Sequence, residues 1–186
     1  MGKKKIQKTR CTEMLFAGFG GQGIMFMGKL MTQAGLLAGK HVTWMPSYGA
    51  EVRGGTAYSM TKVSDAEIAS PIVTEPDILV VMNQPSLLKY EGAVKSGGII
   101  ILNRSLITDT VNRKDVRVVK VPMTEIALKL GNGRYANMVA LGALLNKSKL
   151  FPMRTLVSAL VTMMKGKENL VMMNKKALEK GFKVSS

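Results

Sequence analysis

Three glycines in the spacing G-x-G-x-x-G, Gly18, Gly20 and Gly23, stand between an apolar run and a stretch of helical periodicity, with Gly21 and Gln22 filling the interval. Glycine permits a tight turn and lets a ligand approach the backbone. The helix that follows offers unpaired N–H groups and the positive end of its dipole. A phosphate or a carboxylate is the guest such a turn receives. Downstream, Pro46 to Thr56 is a polar, glycine-rich loop that carries Ser47, Tyr48, Gly49, Glu51, Arg53, Gly54, Gly55 and Thr56. Its Arg53 could neutralise a phosphate or carboxylate, and the flanking glycines would admit a partner's backbone. Asn83 follows a third apolar run and should lie on the same rim. Simpler readings stay open for both segments: a glycine turn that packs helix on strand without a ligand, and a solvated loop with an internal Glu51–Arg53 pair.

Narrower chemistries fit these residues less well. A dinucleotide site wants an acidic residue about 20 positions on, at the end of the second strand, to hold a ribose. Here that strand ends Trp44-Met45-Pro46, and the first acid after the helix is Glu51. The run Gly23 to Lys29 mimics a phosphate-binding loop of ATPases, but Leu30 stands where the magnesium-binding hydroxyl should be. His41, the sole histidine, has no Ser, Cys or carboxylate at a triad-like position and reads as a surface residue. No recurrent Cys/His/carboxylate spacing suggests a metal site. Cys11 is the sole cysteine, so the chain forms no internal disulfide and supplies too few thiolates for an iron–sulfur cluster. No catalytic group stands out.

The elements that must position these residues alternate between strand and helix. Strands are expected over Thr12–Ala17, Val42–Trp44, Ala57–Val63, Ile78–Met82 and Ile99–Leu102, the last ending at Asn103, with a charged edge strand over Val116–Val121. Helices are expected over Ile24–Leu37, from Pro85 to about Lys95, from an N-capping Thr124 to Leu130 with Gly131 as the stop, and over Ala136–Asn146. Two more, over about 152–164 and 168–182, close the chain. This order predicts an α/β fold: a Rossmann-like, mostly parallel sheet with helices on both faces and a helical C-terminal extension. Ligands in that class sit beyond the carboxyl ends of the strands. Residues 1–10 read as a basic N-terminal arm and residues 11–186 as a single domain.

The composition agrees. A chain of 186 residues that is 46% hydrophobic can build one core, and 15 methionines are expected to fill irregular gaps in that core and at interfaces. No apolar run reaches the roughly 18–20 residues of a membrane span, and the basic start lacks the apolar stretch of a signal peptide. A soluble, cytoplasmic protein is expected. The net charge of +15 raises nucleic acid as a partner. The excess sits at the ends, however: five bases and no acid in the first ten residues, and nine bases against Glu168 and Glu179 from Lys147 onward. Without interleaved aromatics for stacking, a nucleic-acid role ranks below attraction to an acidic partner.

Four segments together resemble the gamma subunits of 2-oxoacid:ferredoxin oxidoreductases: G-F-G-G-Q-G-I (18–24), P-S-Y-G-A-E-V-R-G-G-T-A (46–57), M-N-Q-P-S-L (82–87) and A-N-M-V-A-L-G-A-L (136–144). Phe19 and the form S-Y-G-A-E-V-R-G-G-T look closer to the 2-oxoglutarate or branched-chain 2-oxoacid types. The resemblance implies a subunit that is inactive alone, in a complex that oxidatively decarboxylates a 2-oxoacid to acyl-CoA and reduces ferredoxin. It places thiamine diphosphate, magnesium and iron–sulfur clusters on partner subunits, named alpha, beta and in some complexes a ferredoxin-like delta, with coenzyme A as co-substrate. It implies that this chain shapes the complex and helps bind coenzyme A through Gly18 to Gly23, the Ser47–Thr56 loop and Asn83. The competing expectations are a stand-alone module for a phosphate-bearing ligand and, third, a basic nucleic-acid-associated protein.

Overall fold

The computed structural model describes residues 10–47 and 56–184. Six strands form one sheet: β1 (Cys11–Phe19), β2 (His41–Ser47), β3 (Thr56–Ser64), β4 (Ile78–Val81), β5 (Ile99–Asn103) and β6 (Arg117–Val121). Their spatial order is β2-β3-β1-β4-β5-β6. β1, β4, β5 and β6 pair in parallel, while β3 runs antiparallel to both β1 and β2. Five strands therefore point one way and β3 alone is reversed, which is the mostly parallel α/β sheet the sequence predicts. β6 lies at the edge, as its alternating charges require.

Central strands of such a sheet are apolar on both sides because both faces are covered. Along β1, Met14 and Phe16 face one cluster of buried side chains and Leu15 and Ala17 face another. Each large side chain removed from water this way stabilises the fold by about 1.5–3 kcal/mol. Against the first face lie α1 (Ile24–Leu37), α3 (Met123–Lys129), α4 (Ala136–Ser148), α5 (Met153–Met163) and α6 (Glu168–Val184). The second face is covered by α2 (Gln84–Tyr90), the turn after it and the 104–116 connection, through Leu87, Val94 and Ile107. Met14, Met27, Met31, Met82, Met123 and Met138 are fully buried or nearly so, in the gap-filling role expected of them.

The C-terminal helices belong to the core. α4 is buried from Ala136 to Leu145, as a helix apolar on every side must be, and α6 lies across it. The two cross at Gly142 and Gly181, where a Cβ on either would run into the other helix's backbone. Among the described residues no helix is long and apolar enough to cross a membrane.

Two element expectations need correction. The helix from Pro85 stops at Tyr90 and tightens into a single 3-10 turn, Glu91–Ala93, instead of running to Lys95. Val94 then turns extended and buries itself against the second face. Thr124 does not cap α3, which begins one residue earlier with Pro122 at its N-cap. The capping is supplied from afar by fully buried Asn103, at the end of β5. Its Oδ1 accepts from the Met123 N–H at 3.1 Å and the Ser105 N–H at 3.3 Å, and its Nδ2 donates to Thr124 Oγ1 at 2.9 Å.

Candidate functional site

β1 leads through α1 on one face of the sheet, and its neighbour β4 leads through α2 on the other. Connections that leave adjacent parallel strands for opposite faces open a crevice at their carboxyl ends, where ligands of this fold class bind. Here the crevice lies between Phe19–Gly23 and Met82–Asn83, so the sequence-predicted residues Gly18, Gly20, Gly21, Gln22, Gly23 and Asn83 meet there.

The glycine segment is shaped residue by residue. The Gln22 N–H donates to the Phe19 carbonyl at 3.2 Å, closing a turn in which Gly21 takes φ 90°, the position that type II turns reserve for glycine. Gly23 follows in the left-handed region (φ 77°, ψ 24°) and is the N-cap of α1, with no side chain capping the helix. The first N–H groups of α1 thus open at this rim. A Cβ on Gly20 or Gly21 would meet nothing within 4 Å, so their backbone is open to an approaching group. Gln22, expected to face a ligand, is folded inward. Its Oε1 accepts from the Phe19 N–H at 2.7 Å and from Asn83 Nδ2 at 3.4 Å, and its Nε2 donates to the Met82 carbonyl at 3.4 Å. It clasps the turn to the end of β4. Asn83 in turn caps α2, its Oδ1 accepting from the Ser86 N–H at 2.9 Å.

The second predicted constellation is anchored at the same rim. Ser47 ends β2 opposite Tyr58, and Thr56 opens β3 opposite Phe19, beside the glycine turn. Tyr48, Gly49, Glu51, Arg53, Gly54 and Gly55 lie outside the described residues.

Other rim residues escaped sequence reasoning. A cavity of about 190 Å³ beside Gly21 and Gln22 is also lined by Met82, Leu106, Thr124 and Arg134. Arg134 is exposed and brings a cation to it, held in place by a short turn in which the Asn132 side chain accepts the Arg134 N–H at 2.9 Å. Asn137, in the first turn of α4, sits so close to Gly23 that any Cβ there would collide with its amide. Asn137 is 8% exposed, and its Oδ1 is buried without a hydrogen-bond partner. An amide at the start of an otherwise apolar helix is the signal that could have marked it.

The N-termini of α1, α2, α3 and α4 all open on this side of the sheet, each equivalent to roughly half a positive charge. With Arg134 they make the rim a place for a negatively charged group. Titratable groups with displaced pKa values lie elsewhere. Burial pushes the Cys11 thiol up at the opposite rim, and burial does the same to the Tyr90 hydroxyl on the second face. Among the described residues no cluster of three or more His, Cys, Asp or Glu could hold a metal ion. The chemistry offered is that of holding and orienting an anion.

Comparison with known proteins converges on one family. The family model described as pyruvate ferredoxin/flavodoxin oxidoreductase matches residues 13–184. The 2-oxoglutarate synthase subunit KorC of Methanocaldococcus jannaschii is 35% identical over 191 residues, covering 100% of this chain and 98% of that one. The ketoisovalerate oxidoreductase subunit VorA of Methanothermobacter marburgensis is 42% identical over 129 residues, 69% of this chain but 27% of that one. This chain therefore spans about a quarter of that longer relative. Among solved structures, the keto/oxoacid ferredoxin oxidoreductase gamma subunit of Geobacter sulfurreducens superposes with a TM-score of 0.81 at 28% identity, over 94% of this chain and 98% of that one. The 2-oxoglutarate:ferredoxin oxidoreductase of Magnetococcus marinus, solved with 2-oxoglutarate, coenzyme A and succinyl-CoA bound, gives 0.85 at 25% identity, over 94% of this chain and 31% of that one. With the family model matched from residue 13 to 184 and a full-length relative 35% identical, the chain belongs to the pyruvate ferredoxin/flavodoxin oxidoreductase family.

Proposed function

We propose that this chain is the gamma-type subunit of a cytoplasmic 2-oxoacid:ferredoxin oxidoreductase complex acting on 2-oxoglutarate or a branched-chain 2-oxoacid, and that its glycine rim helps to receive coenzyme A. The observation that carries the reading is the crevice itself: an uncapped helix N-terminus behind Gly20 and Gly21, with Arg134 across the cavity, in a chain of this family. Coenzyme A carries several phosphates, and such donors suit them. The Magnetococcus marinus enzyme, whose matching domain is part of a longer chain, binds coenzyme A.

Oxidative decarboxylation itself falls to groups on the partner subunits, alpha, beta and a ferredoxin-like delta where one is present. Thiamine diphosphate with magnesium supplies the carbanion chemistry, and iron–sulfur clusters carry electrons to ferredoxin. Cys11, the sole thiol, does not fit a cluster in this chain. What its own residues contribute is position. The Gln22 clasp fixes the turn, Asn83 and Asn103 fix the helices on either side, and Ser47 and Thr56 bring the ends of β2 and β3 to the same rim.

The test is Arg134→Gln in the assembled complex. Losing one charge-assisted contact should raise KM for coenzyme A about tenfold or more and leave KM for the 2-oxoacid unchanged. An unchanged KM for coenzyme A, with Arg53→Ala equally silent, would remove this chain from the coenzyme A site.

A further inference from the structure

A second cavity, of about 270 Å³, lies at the opposite end of the sheet, where β1, β4, β5 and β6 begin. It is far along the strands from the glycine rim, and no part of the proposed function uses it. Four cations from four separate segments line it: Arg10 ahead of β1, Lys95 after the α2 turn, Arg117 at the start of β6 and Lys147 in the last turn of α4. Thr12, Ser96, Ser148 and Asp77 add further polar groups to the wall.

The local charge does not balance. Asp77 is spent within the protein, its Oδ1 accepting from Lys95 Nζ at 3.0 Å and its Oδ2 from the Glu13 N–H at 2.7 Å. Glu13 is itself engaged by Lys62 at 3.1 Å and by Lys95 at 3.9 Å. Asp115, two residues before Arg117, is held by Arg113 through both carboxylate oxygens. The carboxyl end of α4 offsets about half a charge near Lys147. Arg10, Arg117 and Lys147 form no ion pair with any described carboxylate within 4.0 Å, and Asp65, which feels the charge of Arg10, is itself paired with Lys40, so an excess of positive charge faces the cavity. Cations brought together from separate segments repel one another unless an anion sits between them, and guanidinium and ammonium groups are donors without acceptors.

We propose that this cavity is a second anion site, built for a small polyanion of phosphate or polycarboxylate chemistry and separate from the glycine rim. A ligand with one charge would leave cations unpaired, whereas one with two or three would span Arg117, Lys147 and Arg10 at once.

The test uses calorimetric titration of the full chain with pyrophosphate and with citrate, at an ionic strength matched by potassium chloride. Saturable binding of either, weakened tenfold or more in Arg117→Gln/Lys147→Gln and unchanged in Arg134→Gln, is the expected result. Preference between the two probes tells phosphate from carboxylate chemistry. Both substitutions lie on exposed or half-exposed side chains, and an unchanged thermal midpoint without ligand would show the fold intact. Heats no larger than those of potassium chloride, or binding of equal strength in Arg134→Gln with and without the Arg117→Gln/Lys147→Gln pair, would overturn the site. Binding lost only in Arg134→Gln would move the anion to the glycine rim and leave that assignment standing without this one.

Discussion

Replacing Gly23 by alanine perturbs the fold in two separable ways. The first is backbone strain: at φ 77° and ψ 24° an L side chain costs about 1–2 kcal/mol. The second is a collision with the Asn137 amide, which an added Cβ would overlap, an overpacking of the kind that costs about 1–3 kcal/mol. Gly23→Ala should therefore lose about 2–5 kcal/mol of stability. Asn137→Ala removes the amide but keeps its Cβ, which lies 3.3 Å from the position of the new methyl, a tight but tolerable contact. The amide oxygen it deletes is buried without a partner, so Asn137→Ala alone should cost about 1 kcal/mol or less. In the double variant the collision disappears and the strain remains. Urea unfolding of the wild type, both single variants and the double variant reads the difference. A coupling of about 1–3 kcal/mol in favour of the double variant is expected. Additivity within about 0.5 kcal/mol would refute the packing of α4 against the glycine turn, and full recovery to the Asn137→Ala value would refute the strain.

Two further outcomes follow from side chains that tie remote segments together. Asn103→Ala strips the buried partner from the Met123 N–H and Thr124, and should cost about 2–4 kcal/mol, read by chemical denaturation. A loss below about 0.5 kcal/mol would contradict the capping role. The hydrogen bond from Arg113 holds the Asp115 carboxyl down to about 2, below its ordinary 3.8. Because the folded value is depressed, the Arg113–Asp115 pair within the 104–116 connection is complete above the ordinary carboxylate range. It fades as pH falls toward 2. A carbon-13 titration of Asp115 should show that low midpoint and its rise toward the ordinary value in Arg113→Gln, whereas a normal midpoint in the wild type would contradict the ion pair.

The sheet was readable because its strands obey simple patterns. β1, β4 and β5 are near-continuous apolar runs bounded by glycine, proline or asparagine, and α1 repeats Ile24, Met27, Met31 and Ala34 at helical spacing. The reversal of β3 was not readable, since an alternating strand after a loop fits either direction. Its position between β1 and β2 depends on pairing with β1 across 37 to 53 residues, beside the shorter-range pairing with β2. Thr124 was misjudged for a similar reason: a local hydroxyl looks like a cap, but Asn103, twenty residues away, holds the position. In the candidate site, the glycines and Asn83 were legible from motif and order. The inward turn of Gln22 depends on the Met82 carbonyl 60 residues away, and Arg134 and Asn137 reach the rim only through the packing of α3 and α4. Sequence pattern locates a rim; tertiary contact decides which side chains face it.

The most direct measurement is affinity purification of the tagged chain from its native extract under anaerobic conditions, followed by assay for dye reduction that requires both a 2-oxoacid and coenzyme A. Larger subunits should co-purify with that activity, and 2-oxoglutarate or a branched-chain 2-oxoacid should be the preferred substrate. A chain recovered alone and inactive, yet binding a phosphate-bearing ligand tightly without partners, would contradict the account and make it a stand-alone binding module.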